Sequence, residues 1–120
     1  MSDLCEVVIT APDPDWLLAF TRKLVERHLC SAAHNFAPIQ SVYRWNDQVN
    51  ERQEGRASLH TRTELVADIV RLAEQEHPYQ VPSISTRPIN GGNPTYLQWI
   101  RDETKPASPD TATGGSSTAT

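Results

Sequence analysis

Residues 31–62 hold the feature that most limits how this chain can fold. Across that stretch apolar and polar residues never repeat at the helical spacing, while Val, Ile, Tyr, Trp and Thr recur. Such a pattern reads as extended structure. Asn46-Asp47 lies near its middle, and both residues tolerate the left-handed backbone of a tight turn. The segment is therefore expected to be a β-hairpin, with one strand from about Ala32 to Trp45 and the next from about Val49 to Arg62. Strands usually run about 5–6 residues. Two this long must project beyond a single core, which makes their outer halves candidates for pairing with another subunit. Ala37-Pro38 demands a bulge or an edge position, because proline has no N–H to give to a ladder.

The flanks supply helices and two more strands. Residues 5–11, CEVVITA, form a β-branched run expected to be a buried central strand. Asp13, Pro14 and Asp15 then give a capping residue, a first-turn proline and a negative charge at the positive end of a helix. Leu17, Phe20, Leu24 and Val25 carry the helical period to about His28. Thr63 is placed to cap a second helix over 64–76, with Leu65, Ile69, Leu72 and Ala73 on one face and Val66 and Val70 beside it. His77-Pro78 stops it. Residues 82–89 read as a fourth strand, 90–94 as a loop, and Thr95 to about Glu103 as a short last helix.

The order β-α-β-β-α-β with a terminal helix implies an α+β fold of the ferredoxin-like kind, an antiparallel sheet with two helices on one face. The sheet's other face would then be uncovered, and a homotrimer with its sheets turned inward would cover it. The domain is expected to span residues 1–104. Residues 105–120, KPASPDTATGGSSTAT, lack any large apolar side chain and are expected to be a disordered tail.

Composition removes several functions. With 15 acidic and 11 basic residues the net charge is −4, and no basic stripe supports nucleic-acid binding. No run nears the roughly 18 apolar residues that span a membrane. The N-terminus lacks the features of a signal peptide, so a cytoplasmic protein is expected. Cys5 and Cys30 form no C-x-x-C pair and are expected to be reduced packing thiols.

Strand 3 offers the clearest candidate chemistry. Arg52, Glu54, Arg56, Ser58, His60 and Arg62 alternate with Gly55, Ala57, Leu59 and Thr61, so one face is polar throughout. That face is either simply solvated or lines a cleft between subunits. In a cleft, Arg56 and Arg62 would receive carboxylate or phosphate. Glu54, His60 and His34 would be the candidate acid–base groups. Trp45, Tyr79, Tyr96 and Trp99 could stack on a ligand, although trimer packing is the more usual role of such residues.

Several motifs together resemble the CutA divalent-cation-tolerance family. They are Thr10-Ala11-Pro12-Asp13, Leu29-Cys30-Ser31-Ala32, Ser41-Val42-Tyr43-Arg44-Trp45, and Glu54 with Leu59-His60-Thr61. The most specific is His77-Pro78-Tyr79-Gln80-Val81-Pro82, followed by Tyr96-Leu97-Gln98-Trp99. The match runs over roughly residues 5–101. This resemblance implies a homotrimer of ferredoxin-like subunits whose hairpins pair across subunits, and a link to tolerance of copper or another divalent cation. It implies His77 as a metal position; Tyr79 and Ser83 are further candidate ligand-binding residues of the cleft. The chain departs from the family at polar positions. Family members proposed to bind copper carry a thiol late in strand 1 where Ile9 stands here, and Glu76 precedes His77. Ser83 replaces a glutamate, His60 a basic residue, and His34-Asn35 an Asn-apolar pair. One imidazole does not make a metal centre. Two functions follow: a trimer binding a metal ion or small ligand at its subunit clefts, or an enzyme acting there on a small anionic metabolite.

Overall fold

The computed structural model describes residues 2–79 and 81–105; of the expected tail, 105–120, all but Lys105 lies outside them. In chain order the elements are β1 (Leu4–Ala11), α1 (Pro14–Glu26), β2 (Ala32–Trp45), β3 (Gln48–Arg62), a 3-10 turn (Thr63–Leu65), α2 (Val66–Glu76), β4 (Ile84–Pro88) and α3 (Pro94–Glu103). The four strands form one sheet in the order β2-β3-β1-β4, and every neighbouring pair is antiparallel. Each helical connection, β1-α1-β2 and β3-α2-β4, therefore skips over one strand. That is an α+β arrangement with an all-antiparallel sheet.

The central position of β1 explains its composition. Val7 opposes Leu59, Ile9 opposes Ala57 and Ala11 opposes Gly55, and this row joins Leu17, Phe20 and Leu24 of α1 and Ile69 and Ala73 of α2 in the main core. Gly55 permits a close approach there: a Cβ would sit 3.1 Å from Pro14 Cα. On the opposite face α3 covers one end of the sheet, with Ile100 and Leu4 both fully enclosed.

Local signals set most boundaries. Asp13 Oδ1 accepts the Asp15 N–H at 2.9 Å, with Pro14 at the start of α1. That helix ends at Glu26, short of the expected His28, whose φ of 60° takes the chain out of the helix; histidine is among the residues that visit this region. Val25 is an exposed large hydrophobic residue rather than part of the core face. Thr63 does not cap α2. It opens the 3-10 turn, and its hydroxyl donates instead to the carbonyl of Ser2 at 3.1 Å. β4 is shorter than residues 82–89: it runs over Ile84–Pro88, starting after Pro82, which offers no N–H to a ladder. Helix α3 opens at Pro94, one residue before the expected Thr95.

The hairpin turns on Asn46 and Asp47, both at positive φ (52° and 61°), and its strands pair from Trp45↔Gln48 onward. β1 stops pairing at Gly55, so the outer half of the hairpin is a two-stranded ribbon. At Ala37-Pro38 the register shifts between Phe36↔Arg56 and Ile39↔Glu54. Two residues of β2 thus face Gly55 alone, a bulge that reverses inward and outward positions along the strand. His34 and Phe36 before it share a face with Ile39, Ser41, Tyr43 and Trp45 after it. That face also carries the even-numbered side chains of β3.

Candidate functional site

Reversal at the bulge brings aromatic and polar groups together. A cavity of about 540 Å³ opens where the ribbon leaves the sheet, between the hairpin stem and the chain that follows α2. Ser41, Tyr43 and Trp45 line it from β2, Arg52 and Glu54 from β3, and Thr10 from the end of β1. The segment after α2 contributes Pro78, Tyr79, Val81 and Ser83.

Histidine 77 fixes how that last segment enters. The Tyr79 backbone N–H donates to His77 Nδ1 at 3.0 Å, so Nδ1 carries no proton. Nε2 must then hold it and donate to the Thr10 carbonyl, 2.7 Å away. The imidazole is neutral, buried and committed to backbone at both nitrogens. The sequence allows His77 as a metal ligand; the fold uses it to tie the post-helix loop to β1. Among the described residues no group of three or more His, Cys, Asp or Glu side chains comes together to hold a metal ion. Cys5 and Cys30 are free thiols in the interior. Burial pushes the Cys30 thiol up to about 12, far from the thiolate that a soft metal would want.

Held in this way, Tyr79 reaches into the cavity. Its hydroxyl donates to Glu54 Oε2 at 2.6 Å and accepts from Arg52 Nη1 at 2.6 Å. Burial, and then the Glu54 carboxylate, hold the phenol above its ordinary pKa, so it is protonated at neutral pH. The Arg52 guanidinium lies 5.2 Å from the Tyr79 ring centre and 5.9 Å from that of Tyr43, a cation–π arrangement. Glu54 is only 5% exposed. A buried carboxylate with one neutral hydrogen-bond donor among the described residues is an unusual resident of a protein interior.

The remaining candidates go elsewhere. His34 and His60 lie on the same sheet face nearer α3, with their rings edge-on at 5.2 Å. His60 Nδ1 shares a hydrogen bond with the Tyr96 hydroxyl. Beside them the Ser58 hydroxyl donates to the Glu6 carboxylate. Burial, and then the neighbouring His34, push the His60 pKa below its usual value, against a smaller opposite pull from Glu6. Arg62, expected to receive an oxyanion, instead closes the end of α3: it donates to the Arg101 carbonyl at 2.7 Å and to Thr104 Oγ1 at 3.0 Å. Arg56 stands between Thr10 and Phe36 in the sheet and is not among the residues lining the cavity. Nor is the polar face of β3 simply solvated, since Glu54 and Ser58 are buried.

Glu54, Tyr79 and Ser83 therefore converge, His34 and His60 form a second cluster, and Arg56 and Arg62 join neither. Arg52 was visible only as one member of a polar stripe. Glu6 escaped the sequence as a site residue, and the grouping of Ser58 and Tyr96 with the two histidines was not legible there, because it depends on strand register and on where α3 lands.

A four-stranded antiparallel sheet with three helices and a long projecting hairpin defines the class of small α+β domains. The comparisons narrow this: residues 5–103 match the family of CutA1 divalent ion tolerance proteins, and the chain belongs to that family. It is 34% identical over 98 residues to the divalent-cation tolerance protein CutA of Thermus thermophilus, covering 82% of this chain and 95% of that one. The CutA homologue of Xenopus laevis is 31% identical over 99 residues, covering 82% of this chain. The chain spans 66% of the length of that relative and 56% of mouse CutA.

Solved structures agree. A Thermus thermophilus divalent cation tolerance protein superposes with a TM-score of 0.82 at 32% identity, covering 85% of this chain and 99% of that one. CutA1 from Oryza sativa gives 0.83 at 26% identity, covering 87% and 95%. No helix among the described residues is long and apolar enough to cross a membrane. By their names, related proteins are chloroplastic in Arabidopsis thaliana and periplasmic in Archaeoglobus fulgidus.

Proposed function

We propose that this protein works as a homotrimer of ferredoxin-like subunits and binds a small organic ligand in the cavity at the base of its hairpin. The observation that carries the ligand reading is Glu54: a buried carboxylate at a cavity wall, bonded to Tyr79 and linked through it to Arg52. Such a group is stabilised when a ligand supplies further donors. Support for the trimer comes from the ribbon itself. Its strands of 14 and 15 residues outrun the sheet, β2 has a free outer edge, and Phe36, Val42 and Val49 are 50–64% exposed. Edges and apolar side chains of this kind call for a partner strand. A neighbouring subunit docked there would close the mouth of the cavity into an intersubunit cleft.

Light scattering on the eluting protein is expected to give three times the 13.4 kDa chain mass, and a monomer at micromolar concentration would sink the trimer. A thermal-shift screen of small metabolites should find ligands whose effect Glu54→Gln removes. Divalent cations remain the family alternative. Equilibrium dialysis with Cu(II) and Zn(II) tests it: tight binding that His77→Gln abolishes would show that the imidazole leaves its backbone partners and ligates metal.

A second reading is favoured by the His34–His60 pair with Tyr96, Glu6 and Ser58 close by. Here the same trimer is an enzyme acting on a small anionic metabolite. An imidazole that is neutral near physiological pH suits a general base. Turnover lost in His60→Gln but not in Glu54→Gln would select this reading over simple binding.

A further inference from the structure

The cavity holds one fixed negative and one fixed positive charge at a set separation. Glu54 Oε2 and Arg52 Nη1 each lie 2.6 Å from the same phenol oxygen, which confines these two charged atoms to within about 5 Å of each other. They do not pair directly. Tyr79 stands between them and is pinned from behind by His77. A carboxylate offers about four acceptor positions, and Glu54 spends one on Tyr79. A guanidinium offers five N–H donors in a planar fork, and the hydrogen bond to Tyr79 takes one of these. Glu54 is the enclosed member of the pair, whereas Arg52 is exposed at the rim.

A ligand that satisfies both must place a cationic donor and an anionic acceptor only a few ångströms apart. Neighbouring ammonium and carboxylate groups on one carbon do this. A lone carboxylate or phosphate would leave Glu54 uncompensated and would be repelled by it. A lone amine would forgo the charge-assisted bonds of Arg52. Beyond the charged end, the wall is made by Tyr43, Trp45, Pro78 and Val81, which are flat or apolar. At about 540 Å³ the space lies within the range of ordinary small-molecule sites, with room for a bulky side chain beyond the charged groups.

We propose that the cavity binds a free α-amino acid with a large apolar or aromatic side chain, its ammonium on Glu54 and its carboxylate on Arg52. This rests on the reading of the cavity as the ligand site. Tyr79 is then a positioning residue that sets the spacing of the two charges. A peptide N-terminus has the ammonium but no adjacent carboxylate, so the site excludes it.

Calorimetric titration of the full chain with L-phenylalanine and L-leucine tests the proposal, against 3-phenylpropanoate (no ammonium) and L-phenylalaninamide (no carboxylate). The free amino acids are expected to bind, with each truncated analogue weaker by about ten- to a hundredfold, the worth of one charge-assisted contact. Glu54→Gln should shrink the gap between L-phenylalanine and 3-phenylpropanoate, and Arg52→Met the gap between L-phenylalanine and its amide. Equal binding of either analogue overturns the proposal without needing any variant. Should neither amino acid bind while another metabolite shifts the melting temperature in a Glu54-dependent way, the amino-acid reading falls and the cavity reading survives. If nothing binds at all, both fall.

Discussion

Removing one oxygen atom, by Tyr79→Phe, should destabilise the protein measurably although the residue lies in a post-helix loop. The phenol supplies the hydrogen bond that reaches the buried Glu54 carboxylate, and at 5% exposure that carboxylate has little bulk water to turn to. Hydrogen bonds to charged groups contribute about 1.5–3 kcal/mol net. The open cavity lets the carboxylate relax toward solvent, which places the expected loss near 2 kcal/mol. Arg52 is exposed and exchanges its lost partner for water. The melting temperature should fall by about 8 °C, taking roughly 4 °C per kcal/mol for a chain of this size. Denaturant unfolding at fixed protein concentration measures the loss, with Glu54→Gln and the double variant completing a cycle. A neutral amide tolerates losing the phenol better than a buried charge does. The double variant should therefore be more stable than the summed single effects imply, by about 1 kcal/mol. Additivity within about 0.5 kcal/mol, or a Tyr79→Phe protein as stable as wild type, would refute the claim that Tyr79 holds a buried charge in place.

Two further outcomes follow from the geometry. Gly55→Ala pushes a methyl to 3.1 Å from Pro14 Cα and 3.4 Å from Leu17 Cδ2; overpacking, partly offset by reduced freedom of the unfolded chain, should cost about 1 kcal/mol in the same unfolding assay, and a stabilised variant would show that α1 can retreat. His60 has a pKa below its ordinary 6.5 in the folded state, so the unfolded chain binds more protons and stability should fall as pH drops from above 6.5 toward the folded-state value. Melting temperatures between pH 7.5 and 5.5 should decline more steeply for wild type than for His60→Gln, and parallel slopes would exclude His60 as the source.

How much of this was legible beforehand differs from residue to residue. The positive-φ turn at Asn46-Asp47, the capped start of α1 at Asp13-Pro14 and the buried run of β1 all follow from short-range chemistry, and the fold honours each of them. Thr63 shows the limit of such rules. A threonine before a helix is a good cap in isolation, but here its hydroxyl is taken by the N-terminal segment, a partner 61 residues away in sequence. Val25 fits the helical period yet faces outward, because α1 needs only the width of its face that meets the sheet.

The site divides along the same line. Residues 5–103 by themselves were enough to fix the family, the α+β element order and the need for a bulge or an edge position at Ala37-Pro38, since these depend on local pattern and motif. The identity of the site depended on things no pattern encodes. The bulge inverts the facing of β2 beyond it, so Ser41, Tyr43 and Trp45 share a face with Glu54. The loop after α2 folds back onto the end of β1 through His77, which turns a sequence-level metal candidate into a backbone clasp. Arg62 is drawn off to the end of α3. A hydrogen bond or an ion pair forms between atoms within about 3–4 Å of each other, and proximity between residues 25 or 50 positions apart is decided by register and crossover geometry. Only the tertiary structure could therefore place Glu54, Tyr79 and Arg52 around one cavity.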